Sequence, residues 1–247
     1  SSILDIQKGS ADLSRRAIET LCAVSWVAAE DTRHTAPLLQ HIGATARLIP
    51  AHEHNECAAA EKIVRLLTEG STVALVSDAG TPGISDPGAR IVAAVRQAGH
   101  RIVPLPGPCA AMTALSAAGL VEPHFFFAGF LPVKTAQRRE ALSAWRDLPA
   151  ALIFYEAPHR ILATIEDLSA ILGGERILVI ARELSKMFES IHACPLGEAL
   201  TWIQADANRQ KGEFVLIVSG ASGVDRPQAD TLRVLHLLLA DGLPVKQ

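Results

Sequence analysis

Cysteine is sparse and unpatterned in this chain: Cys22, Cys57, Cys109 and Cys194 lie far apart and none forms a C-x-x-C pair. Neither a zinc knuckle nor a redox motif is indicated, and buried thiols are the expectation. No apolar run approaches the roughly 20 residues that a bilayer span needs, and no basic start leads into an apolar signal segment. A cytoplasmic protein with no membrane association is therefore expected. There is no excess of positive charge either. Lys and Arg number 23 against 26 Asp and Glu, a net charge of −3, and neither half of the chain is basic. Bulk attraction to a polyanion is excluded, so any nucleic acid must be held by a few placed cations. The phosphate-binding patterns G-x-G-x-x-G and G-x-x-x-x-G-K-[ST] are absent, as are H-E-x-x-H, internal repeats and low-complexity tracts. "HEHNE" would put His52 and His54 on one face of a strand, but no third ligand follows at a metal-binding spacing, and no metal is expected.

What is present is a chain of 247 residues, 49% hydrophobic, able to bury a sizeable core in one large or two modest domains. One stretch stands out. "SDAGTPGISDPG", Ser77 to Gly88, packs glycines, prolines and acids into a turn directly after the apolar run "TVALV". Around it the pattern alternates. A helical stretch, "ECAAAEKIVRLLTEG", precedes the strand, and "PGARIVAAVRQAGH" follows the loop with helical periodicity. Asp86 is a natural N-cap there, with Pro87 at the first helical position and Gly99 as terminator. A second strand, "RIVPL", and a second breaker, "PGP", lead into the helical run "CAAMTALSAAGL". This β-loop-α-β-loop-α order predicts a parallel sheet whose loops line one edge, where ligands of open α/β sheets bind.

The acidic loop sits at such a strand exit, and its chemistry restricts the ligand. With two aspartates and no lysine it repels phosphate and suits an ammonium, a sulfonium or ribose hydroxyls. "AEDTRH" follows the apolar run "VSWVA", which places Glu30 and Asp31 at another strand exit.

Eight ordered blocks, "AAEDTRHTAPLLQHIG", "HEHNE", "VSDAGTPGISDPG", "PGPCAAMTALSAAGL", "FAGFLPVK", "FYEAPHR", "ARELSK" and "KGEFVLIV", make the chain resemble the tetrapyrrole-methylase-like superfamily. Within it the chain is similar to the ribosomal RNA small subunit methyltransferase I branch over about residues 11–220. Family members open with an apolar strand and a Thr-Pro-Ile-Gly-Asn turn, which "SSILDIQKGSADLSRRA" matches only at Gly9 and "ADLS".

The resemblance implies an α/β, two-domain fold with the donor site in the interdomain cleft, and S-adenosylmethionine as donor. It further implies a cytidine ribose 2′-hydroxyl of 16S rRNA, within the small ribosomal subunit, as acceptor, and a homodimer. The expected domains are 1–120, an N-terminal α/β domain; 121–222, a C-terminal α/β domain; and 223–247, the start of a helical extension. "VEPHFFFAGFLP" reads as the connector between the first two.

Carried over residue by residue, Asp78, Ala79, Gly80, Thr81, Pro82, Ile84, Ser85 and Asp86 would cradle the donor, with Pro108 and Ala110 from the second breaker. Gly80 and Gly83 permit close backbone approach. Methyl transfer from a sulfonium needs alignment above all, plus one basic group near the hydroxyl. Glu30, Asp31, Arg33, His34, His54, Glu56, Glu156 and His159 are the candidates for that chemistry or for substrate contact. For RNA, Lys134, Arg138 and Arg139 form the densest cationic cluster, joined by Arg160, Arg182 and Lys186. Two rival readings keep the sheet. One changes the acceptor to a tetrapyrrole or a modified protein residue, as in diphthine synthase. The other is a non-enzymatic nucleotide or RNA-binding module.

Overall fold

The computed structural model describes residues 12–221. Gly9 and the expected extension at 223–247 lie outside the described residues. The chain divides into two compact units, one ending at Thr113 and the other starting at Ala114.

In the first unit, helix α1 (Arg15–Ala23) is followed by strand β1 (Trp26–Ala29), α2 (Thr32–His41), β2 (Arg47–Pro50), α3 (Glu56–Thr68), β3 (Val73–Val76) and α4 (Ala89–Gln97). The three strands form a parallel sheet in the order β2-β1-β3. Strand β1 lies at its centre, and Val27, Ala28 and Ala29 are fully buried there. Ala28 and Ile49 pack with Ala59, Ala60 and Ile63 of α3 and Ile91 and Val95 of α4, while Val27 packs with Leu21 and Leu39 on α1 and α2. Because β1 and β3 run in register, the residues that follow them, from Glu30 and from Ser77, emerge side by side at one sheet edge.

Three local expectations fail here. "RIVPL" forms no strand, and residues 101–109 carry no regular structure. Pro104, Pro106 and Pro108 remove alternate amide donors, which a sheet ladder cannot spare. Helix α4 takes Gly88 as its N-cap, not Asp86. The Gly88 amide is met by the buried Glu56 carboxylate at 2.6 Å, so a distant glutamate does the capping. "HEHNE" is no strand either. Glu53–Asn55 make a 3₁₀ turn, with the His52 amide donating to Asn55 Oδ1.

Helix α5 (Ala110–Ala117) leads into the second unit. There follow β4 (Phe125–Phe130), α6 (Thr135–Trp145), β5 (Ala151–Glu156), α7 (Ile161–Leu172), β6 (Ile177–Arg182), β7 (Ser190–Pro195), α8 (Leu196–Gln204) and β8 (Phe214–Val218). Their sheet is mixed, in the order β4-β5-β8-β6-β7, parallel only between β4 and β5. The most uniformly apolar segment, "FVLIV", takes the central position as β8 and is wholly buried. Leu152 and Phe154, Leu178 and Ile180, and Leu216 alternate onto the face packed by α6, α7 and α8. Each such side chain contributes roughly 1.5–3 kcal/mol by leaving water.

The stretch expected as a connector is the edge strand β4. Its pairing shifts register between Phe127 and Gly129, and Gly129 has φ +67°. That irregularity lets Phe127 and Phe130, three apart, both meet Tyr155. The thiols also depart from expectation. Cys194 is buried, whereas Cys22 and Cys57 are exposed.

Candidate active site at the strand exits of the first unit

Four acids converge on the sheet edge of the first unit. Asp31 caps α2, its carboxylate accepting from the Arg33 amide at 2.8 Å. The same carboxylate is gripped by the Arg33 guanidinium, Nη2 to Oδ2 at 2.6 Å. These Arg33 bonds hold the Asp31 carboxyl well below the usual carboxylate range. Asp78, at the exit of β3, is tied to the exit of β1 twice. Its amide donates to Glu30 Oε2 at 3.1 Å, and its Oδ1 accepts from the Asp31 amide at 3.0 Å. Its remaining oxygen, Oδ2, lies 3.1 Å from His34 Nδ1. Asp86 closes the group from the far end of the loop. Burial first, then the charges of Glu30 and Asp78, push its carboxyl up to about 6, against an opposing hydrogen bond from Ser77.

The loop backbone is held in conformations that its glycines permit. Gly80, Gly83 and Gly88 all have positive φ, and Ser85 does too at +62°. A side chain at Gly88 would meet Leu75 Cδ2 at 3.1 Å and Pro82 Cβ at 3.2 Å, so the loop folds back onto β3 at that point. Thr81 Oγ1 donates to the Pro108 carbonyl at 3.0 Å, fastening the acidic loop to the proline-rich segment. Asp78, Ala79, Gly80, Ile84 and Ser85, with Pro108 and Ala110, are exposed, while Thr81, Pro82 and Asp86 are half-buried.

Asp31, His34 and Asp78 each offer one ligand atom within 4.8 Å of the others, close enough for one cation to touch all three. Each is nonetheless engaged already, Asp31 with Arg33 and Asp78 with the Asp31 amide and the His34 ring. The group is self-consistent as a hydrogen-bonded network.

Of the remaining candidates, Glu56 is a buried structural anchor and His54 is exposed, its ring edge-on to His52 at 6.2 Å. Glu156 and His159 belong to the second unit. Glu156 is buried, accepting from Thr164 Oγ1 at 2.6 Å and lying 3.2 Å from Arg160, which is the environment of a structural carboxylate. His159 is exposed.

The expected RNA cations are for the most part committed inside the second unit. Arg138 is buried, donating from Nε to Asp167 Oδ2 at 2.7 Å, so it is no exposed cation. Arg139 reaches the other oxygen of the same aspartate at 2.6 Å with its side chain still 54% exposed. Arg160 donates to the Leu131 carbonyl, Arg182 to the Phe188 carbonyl, and Lys186 to Glu183 and Glu213. Lys134 stands exposed with no described partner. Nothing local announces these pairings, because Asp167 lies 28 and 29 residues beyond the arginines it holds. The anchoring of Gly88 by Glu56, 32 residues earlier, is equally silent in the sequence.

A tight acidic turn at the carboxyl edge of a parallel sheet, followed by a second α/β unit, fits a methylase architecture. The chain belongs to the tetrapyrrole (corrin/porphyrin) methylase family, whose model matches residues 9–200. It is 56% identical to the ribosomal RNA small subunit methyltransferase I of Escherichia coli O157:H7, over 96% of this chain and 83% of that protein. Against the protein of the same name from Pseudomonas aeruginosa the identity is 50%, over 96% and 84%. Among solved structures the fold is shared with the methyltransferase CobJ, at a TM-score of 0.62, 20% identity and coverage of 85% and 89%. It is shared also with uroporphyrin-III-C-methyltransferase from Thermus thermophilus, at 0.58, 20%, and 95% and 94%.

Proposed function

We propose that this protein transfers a methyl group from S-adenosylmethionine to the ribose 2′-hydroxyl of a cytidine in 16S rRNA of the small ribosomal subunit, acting in the cytoplasm as a homodimer. The observation that carries the reading is the acidic loop itself, held by Glu30 at the exit of β1 and by Glu56 at the start of α3, with Asp78, Gly80 and Gly83 exposed. When bound, the donor supplies a methyl group already activated on a sulfonium sulfur.

The loop fits that donor. Asp78, Asp86 and Glu30 concentrate negative charge suited to a ligand carrying an ammonium and a sulfonium. Gly80 exposes backbone where a side chain would otherwise stand 3.8 Å from Asp86 Oδ2 and from the Pro108 carbonyl. Ile84, 40% exposed, offers apolar surface to the adenosine. Thr81 is spent on the Pro108 carbonyl and so positions the loop. In the second unit Lys134 and Arg139 are the cations best placed to meet a phosphate backbone. The acceptor assignment draws on near-full-length likeness to proteins named for small-subunit rRNA.

The test offers purified protein a methyl-labelled donor and, in parallel, small ribosomal subunits, a tetrapyrrole and a protein extract. Label is expected in the rRNA, in an alkali-resistant dinucleotide, as a 2′-O-methyl blocks cleavage at that bond. Label in the tetrapyrrole or protein alone, or none anywhere, would overturn the reading.

A further inference from the structure

We infer that His34, oriented by Asp78, is the base that takes the proton from the ribose hydroxyl, an inference resting on the reaction proposed above. Neither residue suggests the pair by position, since they lie 44 apart in sequence. The parallel pairing of β1 and β3 delivers them to the same sheet edge, His34 on the first turn of α2 and Asp78 two residues beyond the end of β3.

The carboxylate is itself fixed. The Asp31 amide holds Oδ1, the Glu30 carboxylate holds the Asp78 amide, and Oδ2 is left to face the ring at 3.1 Å. A carboxylate against Nδ1 selects the tautomer protonated there and leaves the Nε2 lone pair available. No described residue hydrogen-bonds Nε2, and the side chain is 39% exposed. This is the geometry of a base oriented by a third group, and it stands beside the loop assigned to the donor.

Asp78 stands against the ring and Asp31 interacts with it electrostatically, while Glu30, Asp86 and the Arg33 guanidinium crowd around these two carboxylates at the same sheet edge. In the step, the ribose O–H bond breaks and its proton passes to Nε2. The oxygen forms its bond to the methyl carbon, and the carbon–sulfur bond breaks with its electron pair retained on sulfur. Charge balances, a sulfonium being replaced by an imidazolium.

Two measurements test the assignment. In the donor-free protein, ¹⁵N spectroscopy of the His34 ring at pH 8 should show the Nδ1–H tautomer, changing to a mixture in Asp78→Asn. In steady-state transfer to small subunits, His34→Gln should lower kcat about 100-fold or more while donor affinity by calorimetry stays within about threefold. The wild-type rate should fall on acidification, and the residual rate of the variant should be flat over the same range. A His34 ring in the Nε2–H tautomer, or a variant with wild-type kcat and the same pH profile, would overturn the base assignment while leaving methyl transfer intact. A wild type that transfers nothing to small subunits would overturn the reaction, and the base with it.

Discussion

The two units use their charges in opposite ways. At the sheet edge of the first, Glu30, Asp78 and Asp86 crowd together, and the one arginine there, Arg33, makes its hydrogen bonds to Asp31. In the second, one buried aspartate, Asp167, absorbs both Arg138 and Arg139, and carbonyls or glutamates absorb Arg160, Arg182 and Lys186. A concentration of like charge that the fold leaves unneutralised marks a place where a counter-charge is expected to bind. A concentration that the fold neutralises marks structure, however functional it looks as a string of letters.

The comparison breaks most visibly at Asp167. If Arg138 and Asp167 are structural, Asp167→Ala leaves a buried guanidinium unpaired and should cost about 3–5 kcal/mol in denaturant unfolding. A loss below about 1 kcal/mol would show the pair to be dispensable and would return the arginines to the functional list.

Asp86 tests the opposite case at smaller scale. Its folded-state carboxyl titrates near 6, above the ordinary value of 3.8, so the native state binds the proton more tightly than the unfolded chain between those limits. Stability therefore falls as pH rises from about 4 to 6, and the penalty is complete above that. Asp86→Asn should be more stable than the wild type by about 1 kcal/mol at pH 7.5, after allowance for solvent screening, with the gain vanishing near pH 4. A variant that is less stable at pH 7.5 would mean that the carboxylate is a favourable structural contact.

Lys134 gives the smallest effect. As a single free cation, its replacement by glutamine should reduce the slope of log affinity for rRNA against log salt by about 0.7–0.9 and leave donor affinity unchanged. An unchanged slope would remove it from the RNA surface.

How much of this could be read from the chain depended on the range of the interaction. Apolar runs at strand spacing revealed β1 and β3, and the Gly/Pro density of residues 77–88 revealed the loop. "RIVPL" misled because its apolar letters outweigh its one proline, Pro104, in a periodicity count. "FFFAGF" misled because Gly129 suggests a break where the chain makes an irregular edge strand instead. The capping of α4 was assigned to Asp86 by local rule, whereas a glutamate 32 residues upstream of Gly88 competes for that amide and wins. Partnerships such as Asp78 with Glu30, 48 residues apart, depend on strand order, which no local pattern encodes.

The claim that the first unit's acidic turn holds the methyl donor is tested most directly by calorimetry of S-adenosylmethionine binding in the presence of a chelator. Wild type and Gly80→Val should be compared with their unfolding followed in parallel. Gly80 has φ +67°, a conformation that a β-branched residue resists, and its added bulk would narrow the gap toward Asp86 and Pro108. The account predicts metal-independent binding by the wild type, and at least tenfold weaker binding by a variant that still unfolds cooperatively. Equal affinity in a folded Gly80→Val, or wild-type binding that disappears with the chelator, would contradict it.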